Sequence, residues 1–339
     1  MREKILKTLL DRANTDGRRL VVPLMGFPGL RLANTNVKLA QQNFGVHYKV
    51  LKELANQFKP DIMFPLMDLS VEANALGRYT VFPIADSATV VKDHFEIAEL
   101  TMKRQINITH DTRLQGYVET VRLMRIGLAD DVIIGAYVTG PYSLAALIMG
   151  ADEAAMATVL EPEKLATLCD FTTEKIQEYV QLLIGAGAQV ICILEPSAVM
   201  LGPDQFEQFS SSYVKHITNL CRFTNVATVY HTCGNTMHLV VKMASAGVDA
   251  ISLDSPAAGV NLPAVAEELH DSVVVMGNIN PTGSILFGKP EEVKHDVKEL
   301  LTSMESYPNF ILSTGCDLPQ ETPPENIDAF MKAGREYKF

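Results

Sequence analysis

Eight short β-rich runs separated by longer amphipathic stretches set the tightest constraint on how this chain can fold. They occupy residues 20–25, 61–66, 132–138, 189–194, 226–231, 249–253, 273–278 and 310–314. Most are near-continuous in Val, Ile and Leu, as parallel strands are when both faces are covered. The intervening segments carry helical spacing. The stretch CDFTTEKIQEYVQLLIGAGA ends in glycines, a usual helix stop. HLVVKMASAGV and PEEVKHDVKELLTSM read the same way. Eight β/α alternations predict an α/β fold, a (β/α)8 TIM barrel, with a doubly wound open sheet as the alternative. The first 18 residues predict a helix ahead of the barrel. The alternation breaks at about residues 67–131, where GRYTVFPIADSATVVKD reads as a hairpin followed by helices, an elaboration on the barrel. With no repeat, low-complexity tract or linker, residues 1–339 are expected to form one catalytic domain.

Composition narrows the partners. The chain has 339 residues and a formal charge of −11, with 47% hydrophobic residues. An acidic surface repels phosphate backbones, which argues against nucleic acid as a partner. No run reaches the roughly 18 apolar residues of a membrane span. The N-terminal sequence lacks the apolar run of a secretory signal, so a cytoplasmic location away from membranes is expected. Five cysteines in such a chain argue against a disulfide framework. Cys192 lies inside the run VICIL, and Cys169 and Cys221 lie in helical stretches, so all three read as packing residues. Cys233 and Cys316 differ, because each follows an apolar run and sits among glycine and polar residues.

In VATVYHTCGNT, His231 and Cys233 fall at the C-terminal end of a strand. Side chains two apart in extended chain point to the same side. In FILSTGCDLPQETPP, Cys316 falls just past the last strand. A closed barrel gathers all C-terminal strand ends on one face, where its active sites are built. Two thiols and an imidazole suit zinc, and three protein ligands leave a fourth position for substrate. The competing reading is a hydrogen-bonded His231 at the mouth with two small filler cysteines.

The segments PDIMFPLMDLSVEANALG, VTGPYSLAALIMG, YHTCGNT, VVVMGNINPTGSILFGKPEEV and ILSTGCDLPQETPPENIDAF resemble the uroporphyrinogen decarboxylase superfamily. Within it they are most similar to the methylcobamide:coenzyme M methyltransferase branch. That resemblance implies a TIM-like barrel with zinc on His231, Cys233 and Cys316. The arginine-rich N-terminal motif of the decarboxylases is missing from VPLMGFPGLRL, where Arg31 stands alone. Glu195, in ILEPSA, occupies a position where close relatives are expected to carry Asp. It is read as a fourth zinc ligand, as a group orienting His231, or as an unrelated polar residue.

The resemblance implies methyl transfer from a methyl-Co(III) corrinoid to a thiol such as coenzyme M, or to a related acceptor such as tetrahydrofolate. Nothing in the chain matches a corrinoid-binding D-x-H-x-x-G motif, so the corrinoid is expected on a small partner protein. Asp254, Asn278, Asn280, Asn235 and Glu72 follow strands and are candidates for binding the substrate. Turn or capping roles compete for each of them. GNINPTG lacks the GxGxxG pattern, which argues against a nucleotide phosphate site. His238 reads as structural, on the helix that follows. The alternatives are porphyrinogen decarboxylation and a non-catalytic corrinoid- or zinc-binding barrel.

Overall fold

The computed structural model describes residues 5–92, 94, 96–100, 104–269 and 273–338. Residues 1–4 of the expected N-terminal helix, and parts of the 67–131 elaboration, lie outside the described residues. Among the described residues, ten strands are present: β1 (Leu20–Val21), β2 (Ile62–Met63), β3 (Thr80–Val81), β4 (Thr89–Val90), β5 (Ile133–Thr139), β6 (Val190–Leu194), β7 (Ala227–Thr232), β8 (Ala250–Leu253), β9 (Val274–Ile279) and β10 (Phe310–Thr314). Eight of them form a parallel sheet in the order β1-β10-β9-β8-β7-β6-β5-β2. Asp61 closes it into a (β/α)8 barrel. Its N–H donates to Val21 O at 3.2 Å, and its Oδ2 accepts from Val21 N at 2.7 Å. Arg18 holds the same carboxylate at 2.9 Å.

β1 and β2 are shorter than the apolar runs that announce them. Pro23 and Pro65 have no N–H to give to a ladder, so regular pairing stops before each. Side chains take over beyond that point. Leu24 N donates to the Thr314 hydroxyl at 3.0 Å. The expected hairpin is β3 paired antiparallel with β4. HLVVKMASAGV divides into a 3-10 turn, Met237–Leu239, and a short helix, Val240–Ser245. The helix Pro162–Ala186 ends as expected at Gly187, whose φ of +108° suits a residue without Cβ. Among the described residues, no single helix is long and apolar enough to cross a membrane.

Strand alternation divides the core in two. One apolar cluster lies between the sheet and the outer helices. The other fills the barrel, with Leu20, Ile62, Phe64, Ile133, Tyr137, Val190, Cys192, Ala227, Val229, Ala250 and Ile311. The helix Ile5–Thr15 closes its lower end by burying Leu6, Leu10 and Ala13, which lie four and three residues apart on one face. Gly135 makes space inside, since a Cβ there would stand 2.3 Å from the Phe64 ring. Phe64 stacks on Tyr137 with ring centroids 4.9 Å apart.

Truncating this plug exposes interior apolar surface and leaves a void. Leu10→Ala should cost about 2–4 kcal/mol of unfolding free energy. Urea denaturation followed by circular dichroism measures it. A midpoint equal to that of the parent would show that the helix does not seal the barrel.

Candidate metal centre

Inward positions on β7 are Ala227, Val229 and His231, so the interior turns from apolar to polar at the last one. Register aligns Leu194, His231 and Ser252 across β6, β7 and β8. His231 is 1% exposed, while Cys233 and Cys316 are partly open to the mouth. His231 Nε2 lies 3.2 Å from Cys233 Sγ, and the two sulfurs are 3.5 Å apart. All three donor atoms fall within 4.8 Å of one another. Such spacing fits a single ion, and two sulfurs with one imidazole are donors that zinc favours. The Cys233 thiol beside it and burial push the Cys316 thiol well above its ordinary pKa. Two thiols packed this closely resist ionising together, and a cation between them reverses that preference.

The supporting residues are specific. His231 Nδ1 lies 3.0 Å from Ser252 Oγ, which fixes the ring and leaves Nε2 facing the sulfurs. Asp254 anchors the turn after Cys233, with Oδ2 accepting from Gly234 N at 2.7 Å. Its Oδ1 accepts from Ser255 N at 2.6 Å. Gly315 lets the Cys316 loop press onto that anchor, since a Cβ there would lie 2.5 Å from Ser255 N. Asp317, absent from the sequence reading, is half-buried, with Oδ1 accepting from Gly26 N at 3.2 Å. Burial raises its carboxyl to about 7, against the backbone amides of Gly26, Met67 and Leu318, which lower it. Its Oδ2 has no partner. The signal in the sequence was the acidic residue next to Cys316.

The structure places Glu195 apart from the three donors. Its carboxylate caps the helix Pro141–Met149 and stands outside the three-donor group. Oε1 accepts from Tyr142 N at 3.1 Å and from the Ser210 hydroxyl at 3.0 Å, and Oε2 accepts from Ser143 N at 2.8 Å. A helix N-terminus offers unpaired N–H groups and a favourable dipole, and these compete for the carboxylate. Gly140 leaves room, since a Cβ there would meet Glu195 Cγ at 2.1 Å. Glu195 touches His231 through the backbone, its N–H donating to His231 O at 2.9 Å. Burial raises its carboxyl to about 7.

The other candidates serve as local ties. Asn278 Nδ2 donates to Asp254 O at 2.9 Å, so it supports the anchor loop. Asn235 Oδ1 accepts from Met237 N at 3.4 Å, and Asn280 Oδ1 accepts from Thr282 N at 3.0 Å, both across turns. His238, placed in the 3-10 turn, has Nε2 3.4 Å from Leu201 O. Arg31 reaches Glu321 O at 3.5 Å on the surface. Cys169, Cys192 and Cys221 are buried. Glu72 binds the end of β5, Oε1 accepting from Thr139 N at 2.7 Å and Oε2 from the Thr139 hydroxyl at 3.0 Å.

The parallel barrel with polar groups on its C-terminal rim is a TIM barrel, the fold in which enzymes carry their chemistry at that mouth. The chain belongs to the uroporphyrinogen decarboxylase family, whose model, "Uroporphyrinogen decarboxylase (URO-D)", matches residues 33–337. It is 23% identical to the uroporphyrinogen decarboxylase of Prochlorococcus marinus, over 92% of this chain and 88% of that one. It is 27% identical to a methylcobamide:CoM methyltransferase of Methanosarcina mazei, over 80% and 78%. Among solved structures, a methyltransferase from Methanosarcina mazei superposes with a TM-score of 0.84 at 22% identity, covering 98% of each chain, and so shares the fold. The relatives are thus both decarboxylases and methyltransferases, and the resemblance reaches the methylcobamide:coenzyme M methyltransferase branch.

Burial raises the Glu72 carboxyl from 4.5 to about 7, against its bonds to Thr139. The folded state therefore holds this proton more tightly than the unfolded chain does. The associated stability is fully present below about pH 4.5 and is lost as pH rises through about 7. Glu72→Gln keeps an oxygen to accept from Thr139 N and turns its amide to donate to the Thr139 hydroxyl oxygen, without a titrating group. Its melting temperature should fall less than the parent's between pH 5 and pH 7. Parallel slopes in differential scanning calorimetry would refute this assignment.

Proposed function

We propose that this protein is a zinc-dependent methyltransferase that moves a methyl group from a methyl-Co(III) corrinoid to a thiol. Coenzyme M is one such acceptor, and tetrahydrofolate is a related one. The observation that carries the reading is the convergence of His231 Nε2, Cys233 Sγ and Cys316 Sγ within 4.8 Å at the barrel mouth. These three side chains would hold the ion and leave one position open to the acceptor. Bound there, zinc supplies Lewis acidity that favours the thiolate of an acceptor whose free pKa is about 8.5.

In the reaction itself, the acceptor sulfur forms a bond to the methyl carbon as the Co–C bond breaks. The electron pair of that bond stays on cobalt, giving Co(I), and the thiol proton is lost to solvent. The chain's residues do the positioning. Ser252 fixes the His231 ring from Nδ1, and the Asp254–Gly234 bond and the Gly315 contact fix the two cysteine loops. A rim built on strand ends keeps such geometry more exactly than free loops do. The methyl donor arrives on a small corrinoid-carrying protein docked at the mouth. The names of the relatives equally support a second reading, tetrapyrrole decarboxylation. Two thiols at the centre of the rim favour the first, because a poly-carboxylate substrate is better met by cationic side chains.

Metal analysis of the purified protein with a methylcobalamin assay against several thiols and tetrahydrofolate tests the reading. About one zinc per chain is expected, lost together with methyl transfer in Cys316→Ala. A zinc-free protein, or unchanged transfer in that variant, would sink it. Decarboxylation of a tetrapyrrole without metal would establish the alternative. Ser252→Ala frees the His231 ring and should weaken zinc binding about tenfold or more, measured by competition with a chromogenic chelator. An unchanged affinity would mean that Ser252 does not orient the ligand.

A further inference from the structure

Among the described residues, Arg113 is a buried cation whose bonding is incomplete. It stands at the start of the helix Thr112–Gly127, which follows the elaborated loop after β2. Its side chain is 9% exposed. Nη2 donates to Asp68 Oδ2 and, at 3.0 Å, to Ser70 Oγ. Nε and Nη1 are buried and have no partner. A guanidinium carries five N–H donors, and Nη2 owns two of them, so the other three lack an acceptor.

Asp68 is not short of partners. Beyond Arg113, it accepts from Ser70 N at 3.0 Å, from Ser70 Oγ at 2.6 Å and from the Tyr117 hydroxyl at 2.6 Å. The carboxylate therefore holds the guanidinium in place and leaves its remaining donors free. Phe82, from the β3–β4 hairpin, covers one face, its ring centroid 4.8 Å from Arg113 Cζ.

The chain path places this group at the mouth. Asp68 follows the C-terminal end of β2, and its neighbour Leu69 accepts through O from the Thr139 hydroxyl at the C-terminal end of β5, 3.3 Å away. The Arg113 anchor thus stands on the rim that carries the candidate metal ligands. Gln41 lies on the helix Val37–Gln42, which packs against the helix carrying Arg113. Its amide is 2% exposed, and neither Nε2 nor Oε1 has a partner.

We propose that Arg113, held by Asp68, binds the acidic group of the methyl acceptor, a sulfonate or a carboxylate. Its guanidinium is thereby a specificity determinant of the rim. The role rests on the methyl-transfer reading, but the binding of the anion is tested without it. Spare, pre-oriented guanidinium donors recognise a planar or tetrahedral oxyanion better than an ammonium does.

The test is calorimetric titration of ethanesulfonate, and separately of glutarate, into the parent and into Arg113→Lys and Arg113→Met. Ethanesulfonate stands for a sulfonate thiol, and glutarate for the carboxylates of a folate. The parent should bind at least one of them, and the stronger names the source. Arg113→Lys keeps a cation beside Asp68 but has no spare planar donors, so binding should weaken about tenfold. Arg113→Met should lose it. Should Arg113→Met fail to fold, Arg113→Lys decides. A parent that binds neither anion, or equal binding by parent and Arg113→Lys, overturns the proposal. In the methylcobalamin assay, KM for 2-mercaptoethanesulfonate should rise about tenfold more than KM for 2-mercaptoethanol in Arg113→Lys. Equal rises for the two thiols count against it. Anion binding that depends on Arg113, in a protein without methyl transfer to any acceptor, would fault the methyltransferase reading and leave the anion site standing.

Discussion

Closure of the parallel ladder is the constraint on which the rest depends. β7 and β10 are separated in the sheet by β8 and β9. At about 4.8 Å per strand, a flat sheet would hold their ends roughly 14 Å apart. Curvature and inward-pointing side chains bring the His231 and Cys316 donors within 4.8 Å. The seam of the barrel is its thinnest part, because Pro23 and Pro65 shorten β1 and β2. There Asp61 supplies a backbone bond and a carboxylate bond to the same residue, Val21. A single acidic side chain paired with Arg18 therefore completes what two short strands begin.

The interior of that barrel is graded. The N-terminal helix and the lower layers are apolar, Tyr137 and Cys192 lie higher, and His231 and Ser252 share the rim layer. Apolar packing beneath fixes the height of each strand, and strand height fixes the rim. The two cysteines then need only short loops. Each loop is locked by a contact that excludes alternatives: the Gly234 amide on Asp254, and the Gly315 backbone against Ser255. A metal site made this way needs little reorganisation of its donors.

Local sequence carries this fold because strand burial and helix periodicity are local signals. Eight Val/Ile/Leu-rich runs were enough to expect the barrel, and the histidine and cysteine at strand ends were enough to expect that they face its mouth. What was not legible depends on partners far along the chain. Ser252 reads as an ordinary strand serine until register places it beside His231. Glu195 has the right chemistry for a ligand, but two backbone amides from 52 and 53 residues away take its oxygens. Asp68 and Arg113 are 45 residues apart, in the segment where β/α alternation fails. Periodicity gives no purchase there.

The electrostatics of the rim follow from the same distinction. Burial raises the carboxyls of Glu72, Glu195 and Asp317 near the site toward neutrality. Arg113 keeps its charge through Asp68, the strongest of the interactions that raise its pKa against burial. On the proposed reading, an incoming substrate meets the two polarizable sulfurs and the Arg113 guanidinium held by Asp68. That combination suits a small molecule with a thiol and an acidic group better than it suits a ring bearing many carboxylates. The latter would require several cations, and Arg31, the one arginine of the stretch VPLMGFPGLRL, is turned to the surface at Glu321.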